Sequence, residues 1–197
     1  MYNRINANYH LSNKKALFMN VSNYYKALGM DPFEVAIPLT FHIKSSRDPE
    51  FAKFEQYYQQ NSKIKNSQNV WIIKPGENTN RGVGIQVANS LKEIQSLIDS
   101  FGKSTGDRTS IVQKYIERPL LISGRKVDIR AYAMITSVNG SLKGYMYRDC
   151  YFRTSSKPFD LSNLHSRYIH LTNDAVQVCS EDYGKFENAN KLSINDF

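Results

Sequence analysis

The residues best suited to chemistry lie around a lysine at the end of an apolar segment. The run from Val70 to Lys74 is rich in β-branched and aromatic residues, and a loop from Gly76 to Asn80 follows it. The next residues are Arg81, Gly82, Val83, Gly84 and Ile85. A strand that places a lysine beside glycine-bearing backbone can surround phosphate oxygens with an ammonium group and N–H groups. The segment is neither a Walker A loop nor a dinucleotide-binding fingerprint. It predicts either another kind of phosphate site or a plain β-hairpin with a lysine at its edge.

A second group of charged residues is placed by a predicted hairpin. Asn139-Gly140 is a strong two-residue turn signal, and such a turn pairs Val138 with Ser141. Continued along the strands, the register pairs Lys126 with Arg153, Asp128 with Tyr151, and Arg130 with Asp149. Because side chains alternate along a strand, one face then carries Lys126, Asp128, Arg130, Asp149 and Arg153, and the other carries Val127, Ile129, Ala131 and Ala133.

The charged face has two interpretations. A sheet can simply present charged side chains to water, which is the ordinary case. Lys126 opposite Arg153, however, is unfavourable unless an anion lies between the two cations. The pair therefore predicts a phosphate or carboxylate site, on the condition that no bulge changes the register.

A polar segment from Arg167 to Asp174 is a third candidate. His170, Thr172 and Asn173 are close enough in sequence to hydrogen-bond one polar ligand. A single histidine beside apolar residues is more often a structural group whose hydrogen bonds are satisfied within the protein. The sequence shows no Ser/His/Asp or Cys/His arrangement of real specificity and no His/Cys cluster with metal-ligand spacing.

Helices and strands that could position these residues follow from the apolar periodicity. The predicted helices run from Ser12 to Leu28 with Ser12 or Asn13 as cap and Gly29 as stop, from Asp48-Pro49 onwards, and from Ser90 to Gly102. The predicted strands are Ile37 to Phe41, Val70 to Lys74, Ser110 to Ile116 and Val127 to Ser137. Residues 154–197 are polar and are expected to be largely loop. Helices mixed with partly antiparallel strands indicate an α+β fold.

The composition limits the classes of protein and partner. The chain has 197 residues and a net charge of +8, which favours an acidic partner. Nucleic acid is disfavoured because the basic residues are scattered and no nucleic-acid-binding motif is present. Cys150 and Cys179 form neither a CxxC pair nor a disulfide framework, so a reducing, cytosolic setting is expected. No apolar run approaches the roughly 20 residues of a membrane span, and the amino terminus does not resemble a signal peptide.

The order of the motifs along the chain is more specific than any one of them. They are NKKALF at 13–18, DPF at 31–33, PLTF at 38–41, WIIKP at 71–75, RGVGI at 81–85, VQKYIERPLLISGRKVDIRAY at 112–132, the region of Arg153, and HLTN at 170–173. In this combination the chain resembles the tubulin tyrosine ligase-like family over nearly its whole length. The resemblance implies an ATP-grasp fold, in which two α+β lobes clamp ATP.

The resemblance also implies a reaction and residues that carry it. A carboxylate is phosphorylated by ATP to an acylphosphate, and an amine then attacks the acylphosphate to form an amide. By motif, Lys74 holds the ATP phosphates, the loop from Arg81 to Ile85 closes over them, and the hinge that binds adenine is Gln113, Lys114, Tyr115 and Ile116. Lys126, Asp128 and Arg130 match residues near the ribose, the γ-phosphate and the acceptor, while Arg153, Thr172 and Asn173 match residues that receive the incoming amino acid or acylphosphate.

The chain departs from the family pattern in one important respect. Family members carry an Asp and a Glu-x-Asn beyond the HLTN motif, which coordinate the Mg²⁺ that bridges the phosphates. Glu187-Asn188-Ala189-Asn190 has the wrong spacing for this role, and the usual amino-terminal lobe is shortened. We therefore expect an incomplete ATP-grasp domain with its Mg²⁺ ligands outside this chain, truncated at the carboxyl terminus and inactive alone. Within it, residues 1–68 are expected to form a helical part and residues 69–197 the nucleotide-binding core.

The resemblance leaves the added amino acid open. Tyr147 to Arg153 is similar to the glycine-adding branch, whereas Thr172 is similar to the glutamate- and tyrosine-adding branches. Glutamate is the first expectation and glycine the alternative, with a free amino acid and acidic tubulin tails as the substrates. The implied location is the cytoplasm, at the cytoskeleton or cilium. A non-catalytic nucleotide- or microtubule-binding remnant and an ATP-grasp enzyme acting on a small molecule are the rival interpretations.

Overall fold

The computed structural model describes residues 5–76, 79–104 and 109–197 of the chain, so Glu77 and Asn78 of the predicted phosphate loop lie outside the described residues. Helices and antiparallel strands are mixed, which confirms the α+β class. The chain forms two compact units, one of Tyr9–Glu117 and one of Arg118–Phe197 together with the residues up to Asn8. Among the described residues, no helix combines the length and the apolar character needed to cross a membrane.

The first unit is a four-stranded antiparallel sheet, and two of its helices, Pro49–Ser62 and Leu91–Ser104, pack on one face of it. Its helices are α1 (Tyr9–Ser12), α2 (Lys14–Ala27), α3 (Pro32–Val35), α4 (Pro49–Ser62) and α5 (Leu91–Ser104). Its strands are β1 (Thr40–Ile43), β2 (Trp71–Pro75), β3 (Gln86–Ala88) and β4 (Ser110–Lys114), in the order β1-β4-β2-β3.

The core of this unit follows from strand alternation. Trp71 and Ile73 of β2 are fully buried among residues of α4 and α5, including Phe54 and Ile94. The rings of Phe54 and Trp71 meet edge to face at 5.0 Å, a favourable aromatic geometry. Because alternate side chains point to opposite faces, Lys74 lies on the face of the sheet away from this core.

Helix-capping signals located the helices well. The Asn13 side chain accepts a hydrogen bond from the Ala16 N–H, and Asp48 accepts one from Glu50, so both predicted caps are confirmed. Gly29 follows α2 with a φ of 71°, as expected of a glycine stop.

Several details of the predicted elements are wrong. The first strand is Thr40–Ile43 rather than 37–41, and α5 continues past Gly102 to Ser104. The predicted apolar side of α2 is not a packed face in this structure, because Leu17 and Tyr24 are exposed. Helical periodicity identified the helix but did not show which surface covers it.

The second unit is built on an antiparallel sheet in the order β10-β9-β6-β5 with a separate hairpin, β7-β8. Its strands are β5 (Leu121–Ile122), β6 (Arg125–Arg130), β7 (Ala133–Val138), β8 (Ser141–Met146), β9 (Tyr151–Pro158) and β10 (Lys191–Ser193). Its helices are α6 (Arg167–His170) and α7 (Asp174–Gln177), with a 3-10 turn at Asn188–Asn190. The expectation that 154–197 is largely loop is therefore only partly right.

The hairpin register is confirmed near the turn and wrong further away. Val138 pairs with Ser141 as predicted, and the ladder continues unchanged to Ala133 and Met146. The strand predicted from Val127 to Ser137 is interrupted at Ala131-Tyr132, which separate β6 from β7. On the other side of the hairpin, residues 147–150 separate β8 from β9, and this connection is two residues longer. As a result β6 and β9 pair two residues out of the predicted register.

The shift replaces every predicted charged pair. Asp128, not Lys126, lies opposite Arg153, and Arg130 lies opposite Tyr151 rather than Asp149. The argument that two like charges require an anion between them is therefore wrong. Since the displacement is by two residues, however, β6 still presents its charged residues on the same face as Arg153. On the opposite face, only Val127 of the predicted apolar residues is buried, while Ile129, Ala131 and Ala133 are exposed.

Candidate functional site

Lys74 is held in the first unit by a chain of polar side chains. Its Nζ donates to Gln113 Oε1 at 2.7 Å, and Gln113 Nε2 donates to Thr40 Oγ1 at 2.8 Å. The Thr40 hydroxyl in turn donates to the Pro38 carbonyl at 2.6 Å. This sequence of donors fixes the orientation of the Gln113 amide, so its oxygen faces the ammonium group.

The environment of Lys74 is unfavourable to its positive charge. Burial, together with the nearby positive charge of Lys14, lowers the pKa of Lys74 from 10.5 to about 8. The pKa of Lys14 is also lowered by burial. Within the described residues Lys74 has no carboxylate partner, so an anion bound here would relieve the cost of burying its charge.

Lys14 lines a polar cavity of about 440 Å³ beside the phosphate-loop candidate. Its Nζ donates to the Thr79 hydroxyl at 3.3 Å and to the Thr79 carbonyl. The cavity lining also includes Asn13, Gly76 and Asn80. Sequence reasoning gave Lys14 no chemical role, although the NKKALF motif that contains it was available as a signal.

The loop from Arg81 to Ile85 is a series of turns. Arg81, Gly82 and Gly84 have φ values of 56°, 80° and 72°. A Cβ on Gly84 would lie 2.8 Å from Cγ of Pro75, so this position requires glycine both for its backbone and for space. β2 and β3 do form a hairpin around this loop, but Lys74 lies half-buried on a central strand and not at an edge.

The predicted hinge is already engaged in the fold. The N–H groups of Lys114 and Tyr115 donate to the carbonyls of Leu39 and Val70 at 2.8 and 3.1 Å. Lys114 Nζ donates to the Val70 carbonyl and pairs with Glu117. Burial raises the pKa of the buried Tyr115 hydroxyl, and Ile116 is exposed.

In the second unit, Asp128 and Arg153 form the centre of the charged face. Arg153 holds Asp128 in a bidentate contact, with Nε donating to Oδ1 at 2.7 Å, and Thr172 Oγ1 donates to Oδ2 at 2.9 Å. The hydrogen bond to Asp128 raises the pKa of Arg153. The structure therefore brings together three residues predicted from separate motifs.

Lys126 reaches the HLTN segment from the same strand. Its Nζ donates to the His170 carbonyl at 2.9 Å. His170 is buried, with its Nε2 2.9 Å from the Asn163 carbonyl, and burial lowers the pKa of its ring. This supports the structural interpretation of His170, while Asn173 lies half-buried at the start of α7.

Lys191, which sequence reasoning missed, extends the charged face together with Asp174. Lys191 of β10 lies beside Arg153, and its Nζ is 3.2 Å from Asp174 Oδ1. The Tyr183 hydroxyl donates to the same oxygen at 2.9 Å. Burial alone would raise the pKa of Asp174, but the hydrogen bonds from Tyr183 and Lys191 outweigh burial and lower it. Lys191 was missed because its strand lies in the segment expected to be loop.

Glu187, whose motif has the wrong spacing for the family's Mg²⁺ ligands, forms an ion pair within the fold. Nη1 of the buried Arg125 guanidinium donates to Oε2 of Glu187 at 2.8 Å, and the Thr154 hydroxyl donates to the same oxygen at 2.9 Å. Arg125 also lies over the ring of Phe186 at 4.3 Å. Across the residues that the structure describes, no group of three or more His, Cys, Asp or Glu could hold a metal ion, and we assign no step to one.

Comparisons with known proteins agree with the resemblance. The model of the tubulin-tyrosine ligase family matches residues 1–197. Tubulin monoglycylase TTLL3 of Mus musculus is 44% identical over 114 residues, which are 58% of this chain and 12% of that protein. Tubulin glycylase 3B of Drosophila melanogaster is 44% identical over 111 residues, or 56% of this chain and 14% of that protein.

A relative of another specificity matches a larger share of the chain. Probable tubulin polyglutamylase TTLL2 of Homo sapiens is 32% identical over 178 residues, which are 90% of this chain and 27% of that protein. The chain thus spans between about an eighth and about a quarter of the length of these relatives. Because the family model covers the whole sequence, this chain belongs to the tubulin-tyrosine ligase family.

Proposed function

We propose that this chain carries the nucleotide-binding and amino-acid-binding residues of an ATP-dependent ligase that joins an amino acid to tubulin. The family and the names of the relatives support a tubulin-modifying ligase. The single observation that carries the nucleotide part is the burial of Lys74 beside Lys14 without a carboxylate partner among the described residues. An ATP-grasp arrangement of the fold is part of the same proposal.

The first unit suits the phosphates of ATP. Lys74 supplies a partly desolvated ammonium group whose interaction with an anion is stronger than it would be in water. Lys14 and the loop from Arg81 to Ile85 supply a second cation and a glycine-bearing backbone. ATP would provide the phosphoryl group that activates a carboxylate.

The predicted hinge, Gln113 to Ile116, would bind adenine through groups other than the N–H groups of Lys114 and Tyr115. Since Lys114 and Tyr115 donate their N–H groups to the fold, adenine would contact the exposed Ile116 and the carbonyls of the segment. Gln113 would act mainly by holding Lys74.

The second unit suits carboxylates. Arg153 keeps a fixed orientation because Asp128, which also accepts a hydrogen bond from Thr172, holds it from one side. Arg130, Lys126 and Lys191 add positive charge on the same face, where a carboxylate of the amino acid or of the acceptor would be bound. Asn173 keeps its proposed role beside Thr172 as a substrate contact.

Glycine is the amino acid that we favour, with glutamate as the second candidate. The two relatives with 44% identity are named glycylases, whereas the relative that matches 90% of the chain is a probable polyglutamylase. The acceptor would be an acidic tubulin tail, which the charge of +8 would attract. Such an activity would place the protein at the cytoskeleton, with the cilium as the more specific expectation.

Nucleotide binding by the chain itself is the experiment that tests the proposal. We would titrate the 197-residue chain with a fluorescent ATP analogue and compete it with unlabelled ATP. Lys74→Met should weaken binding at least tenfold, while Lys92→Met, on the exposed surface of α5, should leave it unchanged. Equal affinity of the two variants, or no saturable binding by the unmodified chain, would overturn the nucleotide assignment.

A transfer assay tests the acceptor and the amino acid. Transfer of radiolabelled glycine or glutamate to tubulin by a protein that contains this chain, lost on Arg153→Ala, would support the ligase. Transfer that is indifferent to tubulin would instead identify a small-molecule ligase.

A further inference from the structure

Tyr151 lies in the middle of the charged face. Across the sheet it pairs with Arg130 of β6 and with Ser193 of β10. Arg153, two residues further along β9, pairs with Asp128 and Lys191 in the same way. Because side chains alternate, the Tyr151 phenol projects from the face that carries these cations.

Positive charge is in excess on this face. Lys126, Arg130, Arg153 and Lys191 give four positive charges, and Asp128 and Asp174 give two negative ones. Asp128 is bound by Arg153, and Asp174 is bound by Lys191. These six side chains therefore leave an excess of two positive charges, next to Tyr151.

The Tyr151 side chain lies among cationic neighbours in the sheet. Interactions with Tyr132 and Arg130, and the charge of Arg153, lower the pKa of Tyr151. Lys191 is close enough for the two groups to interact electrostatically. The ring centroids of Tyr132 and Tyr151 lie 6.4 Å apart, so Tyr132 is a neighbour of the phenol. The phenol oxygen thus occupies a position whose surroundings favour an anion.

We propose that Tyr151 determines which amino acid this face accepts, because its phenol fills the place that a second carboxylate would take. An amino acid with one carboxylate, such as glycine, can bind at Arg153 while Tyr151 stays in position. Glutamate needs a second cationic site, and the candidate on this face nearest to Tyr151, Arg130, lies directly opposite it in the sheet. The inference rests on the proposed function, since it assumes that the amino acid binds at this face.

Two substitutions separate the space that the Tyr151 ring occupies from the effect of its hydroxyl oxygen. Tyr151→Ala removes the ring and the hydroxyl, which opens the space opposite Arg130. Tyr151→Phe keeps the ring and removes only the acceptor oxygen, so it tests the charge effect with the least change in packing. Tyr145→Ala, at an exposed tyrosine of the β7-β8 hairpin, is the matched control.

The measurement is the ratio of the affinities for glycine and L-glutamate, obtained by ligand-observed NMR on the full chain. Tyr151→Ala should shift this ratio at least tenfold towards glutamate, which corresponds to about 1.4 kcal/mol. Tyr151→Phe should shift it in the same direction by a smaller factor, and Tyr145→Ala should not shift it. An unchanged ratio in both Tyr151 variants would overturn the proposal, as would a failure of the unmodified chain to bind either amino acid.

Parallel measurements distinguish this inference from the proposed function. Thermal unfolding shows whether each variant is folded, and if Tyr151→Ala unfolds, Tyr151→Phe decides. ATP binding without a change in the amino-acid ratio would refute the role of Tyr151 alone. A changed ratio in a chain that does not bind ATP would refute the ligase and leave the role of Tyr151 in place.

Discussion

Replacing Lys74 with methionine should stabilise the unliganded chain while it destroys nucleotide binding. The difference between a pKa of 10.5 and one of about 8 corresponds to a cost of about 3 kcal/mol for burying the charged form, at ~1.36 kcal/mol per pH unit. Methionine has a similar length and no charge, so Lys74→Met removes this cost. It also removes the hydrogen bond to Gln113, a loss of about 1 kcal/mol. The expected net gain at pH 7 is about 2 kcal/mol.

The dependence of the free energy of unfolding on pH gives a second sign that burying the Lys74 charge is unfavourable. The unfolded chain binds a proton on this lysine up to a higher pH than the folded chain does, so the stability of the unmodified chain should rise between pH 8 and pH 10.5. Lys74→Met should lack this rise.

Urea unfolding at several pH values, with Lys92→Met as the control for other titrating groups, measures both quantities. A Lys74→Met chain that is less stable than the unmodified one at pH 7, with the same slope between pH 8 and pH 10.5, would refute the reasoning.

Three further substitutions test other parts of the structure. Gly84→Ala should cost about 1–3 kcal/mol in urea unfolding, and more than Gly140→Ala, since both glycines have positive φ but only a Cβ on Gly84 would meet a close neighbour. Glu187→Gln should destabilise the chain by about 3 kcal/mol at pH 7 because Arg125 loses its charged partner. The pKa of Glu187 is lowered mainly by that partner, so the difference should vanish as the pH falls below this pKa; a constant difference at all pH values would contradict the pairing. Arg153→Lys should cost about 1 kcal/mol or less in stability but weaken glycine binding at least tenfold in NMR titration; unchanged binding would show that the bidentate geometry is not needed.

Local signals in the sequence were sufficient for much of the fold. Asn13 and Asp48 marked helix starts because a side-chain acceptor before a helix satisfies a free N–H group. Asn139-Gly140 gave the hairpin register because a two-residue turn leaves no freedom in pairing.

What the sequence could not show depends on contacts between distant segments. The pairing of Asp128 with Arg153 depends on where a strand is interrupted, and no turn signal marks that point. Lys191 joins the charged face through a three-residue strand with little apolar pattern of its own. The segment that contains it is held by buried polar contacts, such as those of Asn190 with the Thr154 carbonyl and Ser156 hydroxyl, which periodicity does not reveal.

The two-residue displacement between the hairpin and the β6-β9 pair has a consequence for how this family can vary in length. An insertion or deletion of two residues between β8 and β9 moves the partner of Asp128 along the strand but keeps Arg153 on the charged face. A change of one residue that moved β9 along β6 by the same amount would turn Arg153 to the opposite face. Natural selection on the charged residues should therefore permit length changes in this connection in even steps and remove odd ones, unless a bulge restores the alternation.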